Sequence, residues 1–138
     1  MAGPRAWDEG IGTGVGSIDT EHRLQVSYVN AIEELVRTGR DPALANQTVK
    51  QLVDFTNVHF LSEELMMRLY SYPLHDAHKI EHGRLIEQIS DIQRRVGSGE
   101  QQPVLDMINT LHDWLTKHIK SMDQTFAIWC AKNKINPQ

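Results

Sequence analysis

The sequence predicts an all-α protein, an up-down-up-down antiparallel four-helix bundle with an extended N-terminal arm, and three observations carry that expectation. Four stretches repeat apolar residues at the 3.6-residue helical period, each stretch is bounded by glycine, proline or a capping side chain, and none alternates polar and apolar residues as a half-buried strand does. Short connections between the four make successive helices antiparallel neighbours.

The first 17 residues contain five of the nine glycines and read as an extended arm, with Trp7 and Ile11 available to pack on a core. Ser17 or Asp19 can cap a first helix, in which Val26, Val29, Ile32 and Val36 recur to about Arg37, where Thr38-Gly39 ends the run. Asp41-Pro42 supplies a cap and a first-turn proline for a second helix. There Leu52, Phe55, His59, Glu63 and Met66 share one stripe up to about Tyr70, and Tyr72-Pro73 breaks it. A third helix from about Leu74 aligns His78, His82, Leu85, Ile89, Ile92 and Val96, and Gly97-Ser98-Gly99 closes it. The fourth follows Pro103, with Met107, Leu111, Trp114, His118 and Met122 on one face, and continues to Trp129. The 138 residues are thus expected to form one domain: arm 1–17, bundle 18–131 and a polar tail 132–138.

Composition excludes several functional classes. The formal charge is −4 and no window gathers more than a few Lys or Arg, so no footprint for nucleic acid is present. No apolar run approaches the roughly 20 residues of a membrane helix, and the N-terminus lacks the pattern of a signal peptide, so the expected location is cytoplasmic, with no membrane partner. Cys130 is the only cysteine, which excludes an internal disulfide and a CxxC pair and leaves it a packing role.

The unusual residue is histidine, present seven times. In an antiparallel bundle, His22 near the start of one helix, His59 late in the next, His78 and His82 early in the third and His118 late in the fourth all fall at the same end, within roughly 5–15 Å of it. His59 and Glu63 lie four residues apart and so project together, and His78 and His82 repeat that spacing. A carboxylate such as Glu63 on a stripe of Leu, Phe and Met demands a partner, and a metal ion is the natural one. Imidazoles with carboxylates suit iron, zinc or manganese, and the number of donors exceeds the four a structural zinc takes, so two ions fit better. Asp123 follows His118 by five residues, about 140° around an α-helix, and is expected to approach from the flank.

In chain order, IDTEH (Ile18 to His22), HFLSEELM (His59 to Met66), HKIEH (His78 to His82) and WLTKHIKSMD (Trp114 to Asp123) resemble the motifs of the hemerythrin family. The resemblance spans nearly the whole chain. Trp7 and Tyr72-Pro73 are similar to bacterial members in particular, bacteriohemerythrins or bacterial hemerythrin-like domains. The resemblance implies two oxo- or hydroxo-bridged iron ions, with His78, His82 and His118 on one, His22 and His59 on the other, and Glu63 and Asp123 bridging. It also implies that the iron with two histidines keeps an open position, where dioxygen is taken up reversibly as both irons become ferric. Phe60, Met67, Trp114, Leu115 and Ile119 are expected to surround that position and keep water out.

The leading expectation is therefore oxygen carriage, storage or sensing without substrate turnover. An oxygen-sensing input module, with a signalling output domain or partner beyond this chain, is a second class. A di-iron peroxidase or nitric oxide reductase is a third, although no further acid or base is evident beside the pocket. Because the chain ends soon after the fourth helix, a free-standing protein is the favoured form.

Six other side chains are expected to stay apart from the metals as ligands. His75 reads as a surface or capping residue, His112 and Glu64 as solvent-facing, and Met66 and Met122, like Met67, as packing groups rather than sulfur ligands. One departure from the family pattern stands out. Three residues after His22 the family usually places a bulky apolar side chain against the oxygen pocket, whereas this chain has Gln25 beside Leu24. Turned to the helix flank, Gln25 would bond a backbone group; turned inward, it would admit or order water near the open iron and hasten oxidation.

Overall fold

A computed structural model of the protein describes residues 16–96, 98 and 100–136. The four expected helices are α1, Gly16–Thr38; α2, Pro42–Leu69; α3, His75–Arg95; and α4, Gln101–His118. α4 continues without interruption through a π-helical segment, Ile119–Asp123, into α5, Gln124–Lys132. Each long helix packs on its neighbours in sequence and α1 closes the ring against α4, giving an antiparallel four-helix bundle with no strand among the described residues. The expected packing of Trp7 and Ile11, and the closing role of Gly97 and Gly99, lie outside the described residues.

Local chemistry explains most of the boundaries. Asp41 caps α2 by accepting a hydrogen bond from the Leu44 backbone N–H at 3.0 Å, and Pro42 fills the first position, where no intrahelical donor is needed. Gly39 ends α1 with φ of 63°, the left-handed conformation that glycine adopts without a Cβ penalty. Three boundaries differ from expectation. α1 already begins at Gly16, so Asp19 lies inside its first turn rather than at the cap, where its negative charge still complements the helix dipole. α4 begins at Gln101, two residues before Pro103, because a first-turn proline costs no hydrogen bond. Beyond Lys132 the expected polar tail turns back, with the Ile135 N–H bonded to the Cys130 carbonyl at 2.8 Å and the Ile135 side chain packed on the bundle end.

The interior is layered along the bundle axis. One end is an apolar core built around Val29, Ile32, Val49, Leu52, Ile89 and Ile108. The other is closed by a smaller cluster of Met67, Tyr72, Phe126 and Cys130, in which the Tyr72 ring stands edge-on to Phe126 at 4.9 Å. Between these two apolar layers lie buried polar residues from all four helices. No helix among the described residues is long and apolar enough to cross a membrane.

Candidate metal centre

His22, His59, Glu63, His78, His82, His118 and Asp123 are all buried, none more than 5% exposed. They come from α1, α2, α3, α4 and the π segment, and they converge. Ligand atoms of Glu63, His78, His82, His118 and Asp123 lie within 4.8 Å of one another, and so do those of His22, His59 and Glu63. The result is two adjoining groups that share Glu63, one with three histidines and one with two.

The two carboxylates reach both groups. Asp123 turns Oδ1 to His78 Nε2 at 2.8 Å and His118 Nε2 at 3.2 Å, while its Oδ2 lies 3.0 Å from His22 Nε2. Glu63 turns Oε1 to His82 Nε2 at 3.2 Å and His59 Nε2 at 3.6 Å, with Oε2 4.0 Å from His22 Nε2. His78 Nε2 and Asp123 Oδ1 are hydrogen-bonded, but closeness elsewhere in the cluster does not mean hydrogen bonding. Both Glu63 oxygens, Asp123 Oδ2 and the Nε2 atoms of His59, His82 and His118 are buried without a hydrogen-bond partner. Donor atoms crowded around a common point, most of them with no hydrogen bond to satisfy them, are what a cation between them requires. The residues present fit a metal pair.

The sequence placed Asp123 on the flank, and the structure corrects this. A π turn closes from residue i to i+5 rather than i+4, as the Gln124 N–H does onto the Ile119 carbonyl. That extra residue per turn swings Asp123 back toward His118, so the five-residue spacing that disfavours it on an α-helix places it at the centre.

Three carboxylates whose part sequence reasoning missed border the site, and two of them hold its histidines from outside. His59 Nδ1–H donates to Glu21 Oε1 at 3.1 Å, and His82 Nδ1–H donates to Glu64 Oε2 at 2.9 Å, which fixes each ring with Nε2 facing inward. Glu64 is only 13% exposed, not solvent-facing as expected, because its position on the α2 flank borders α3. Glu81 accepts a hydrogen bond from the Trp114 indole N–H. The signal was present in each case as a glutamate adjacent to an inward residue, before His22, after Glu63 and before His82, but the helical period assigns such neighbours to the surface.

The expected pocket residues separate. Phe60 stacks flat on His82 with ring centroids 3.8 Å apart, and Leu115 packs with Ile119. Met67 instead belongs to the closing cluster with Tyr72 and Phe126, because it lies one turn beyond Glu63 toward that end. Trp114 is half-buried and walls an outward-opening cleft with Glu81, His118 and Met122, its indole N–H satisfied there. Gln25 is turned inward, 1% exposed, and donates from Nε2 to Thr56 Oγ1 at 3.4 Å rather than to a backbone group. His75 stays apart, bonded to Asp76, and His112 is half-buried rather than fully solvated.

The electrostatics follow from burial in mixed company. Burial works to lower the His59 pKa, but the charges of Glu63 and Asp123 and the hydrogen bond to Glu21 outweigh it and hold the group at about 9. Burial is outweighed in the same way at His118, which Asp123 holds above the ordinary imidazole range. Burial would raise Asp123, yet His118, His22 and His78 bring it well below the usual carboxylate value; Glu63, which burial and Asp123 push up, is brought down by His59 and His82.

Comparison with known proteins places these features in a family. Residues 13–130 match the family described as hemerythrin HHE cation binding domain. A bacteriohemerythrin of Methylococcus capsulatus is 32% identical over 117 residues, covering 85% of this chain and 88% of that protein. A myohemerythrin of Theromyzon tessulatum is 28% identical over 120 residues, 87% of this chain and 88% of that one. A crystal structure of wild-type hemerythrin superposes with a TM-score of 0.78 at 30% identity, covering 89% of this chain and 95% of the other.

Two outcomes test this geometry. Glu64→Gln, which keeps the shape but weakens the hold on His82, is expected to lower metal affinity roughly 10- to 100-fold; affinity unchanged in a chelator competition would remove Glu64 from the site. The second concerns pH. A raised His59 contributes stability that is complete below about 6.5 and lost as pH climbs through about 9. The depressed Glu63 and Asp123 contribute stability that is lost only as pH falls below the carboxylate range. The metal-free protein is therefore expected to melt at steadily lower temperature between pH 6.5 and 9; a flat or rising melting temperature contradicts the assignment.

Proposed function

The chain belongs to the hemerythrin family, and we propose that it binds dioxygen reversibly at a non-haem di-iron centre, for oxygen carriage, storage or sensing. The observation that carries the reading is the pair of adjoining donor groups, three histidines and two, with Glu63 common to both. In this assignment His78, His82 and His118 would hold one iron, His22 and His59 would hold the other, and Glu63 and Asp123 would be shared between them. Unequal histidine counts would leave the second iron with fewer protein donors, and so with room for a small ligand. When bound, the iron pair supplies the reversible electron exchange with dioxygen that no side chain in the bundle can provide.

The chain's own residues do the rest. Glu21 and Glu64 hold the rings of His59 and His82 in one tautomer, with Nε2 free for metal. Phe60 locks His82 from its flat side, and Leu115 and Ile119 present apolar surface next to His118. The apolar layers above and below keep bulk water out, which favours release of the unchanged gas over side reactions. A cytoplasmic location, and the absence of membrane or nucleic-acid partners, belong to this reading. They are supported by the formal charge of −4 and by the lack of a membrane-length apolar helix among the described residues.

The test is spectroscopic. Iron-loaded protein reduced without air is expected to develop a visible absorption when oxygen is admitted and to lose it under vacuum, through repeated cycles. Irreversible bleaching with consumption of oxygen would contradict reversible binding.

A further inference from the structure

The position of Gln25 has a chemical meaning beyond the family's apolar pattern. Counting along each helix, Gln25 lies three residues after His22, Thr56 three before His59, Leu85 three after His82 and Leu115 three before His118. All four therefore sit about 4.5 Å along the axis from a histidine of the metal centre, on its core side. These four residues, with Phe60 and Leu111, line a cavity of about 10 Å³, the lower limit for one water molecule. Gln25 and Thr56 are the two polar side chains in its wall, and each is 1% exposed.

Their hydrogen bonds do not balance. A carboxamide offers one carbonyl acceptor and two N–H donors, yet the bond from Nε2 to Thr56 Oγ1, long at 3.4 Å, is the one that engages it, and Oε1 is buried without a partner. Reversing the amide would exchange which end is satisfied and leave the other unpaired. A buried, unsatisfied amide oxygen is costly beside apolar walls, and a molecule that both donates and accepts removes the cost. Dioxygen cannot donate a hydrogen bond.

Resting on the di-iron reading for its place beside a gas pocket, we propose that Gln25 and Thr56 form a hydrogen-bonding subsite that seats one buried water on the core side of the metal centre. The water donates to Gln25 Oε1 and accepts from the Thr56 hydroxyl, within the range of two to four partners that holds buried solvent in place. The pocket of this chain is then wet at one edge, where an apolar residue at position 25 would leave it dry.

The deciding experiment is a pair of high-resolution crystal structures of the iron-loaded protein, native and Gln25→Leu. The expected result is one ordered water within hydrogen-bond distance of the Gln25 amide and Thr56 Oγ1 in the native protein and none in the variant. A dry native cavity, or the same water retained in Gln25→Leu, overturns the proposal. Should Gln25→Leu fail to fold, Thr56→Val serves in its place with the same two outcomes. The metal-free native protein gives an independent readout, in which magnetisation transfer from water to the Gln25 side-chain amide is expected and its absence counts against the subsite. Iron content and reversible oxygenation, measured on the same preparations, separate the two claims: oxygenation with a dry cavity overturns the subsite alone, and a seated water in a chain that fails to oxygenate overturns the functional reading alone.

Discussion

The constraint on which this structure depends is the burial of two carboxylates and five imidazoles in a space with too few hydrogen bonds to satisfy them. Glu63 and Asp123 are both nearly inaccessible, and an ion brought out of water without compensation costs several kcal/mol. Histidine partners offset part of that cost in the metal-free protein, which is why the His59 and His118 pKa values are raised despite their burial. Part remains, as the unpartnered Glu63 oxygens and Asp123 Oδ2 make plain. A pair of cations removes it, and each element of the fold can be understood as holding the donors in readiness for them.

The bundle does this by layering. The apolar core around Val49 and Ile108 supplies the stability that a polar layer cannot, and the Met67–Tyr72–Phe126 cluster closes the other side. Because the helices run antiparallel, donors near the start of α1 and α3 meet donors late in α2 and at the end of α4 at one height. The π segment adds the final adjustment. One additional residue in the turn costs regular hydrogen bonding but aligns Asp123 with His118, and a straight α-helix could not bring both to the same centre.

Much of this was legible in the sequence, for reasons that particular residues show. His59 with Glu63, and His78 with His82, are four apart on regular helix, so period alone aims each pair inward. Asp41-Pro42 and Gly39 likewise announce their boundaries through local chemistry. What escaped depended on information a helical wheel does not contain. Asp123 needed the π turn. Glu64 and Glu21 are flank residues whose long side chains reach across an interface to a ring nitrogen, and burial of that kind is decided by the neighbouring helix. Met67 shares the apolar character of the pocket residues but sits at a different height, which periodicity around the axis does not report. Gln25 left two directions open in the sequence, and packing against Thr56 decided between them.

The central claim is that donors from four helices hold two metal ions in each chain. Iron stoichiometry tests it most directly: protein loaded with ferrous iron under reducing conditions, freed of loosely held metal and assayed by elemental analysis against protein concentration. The account predicts two irons per chain. One iron, or none, would contradict it.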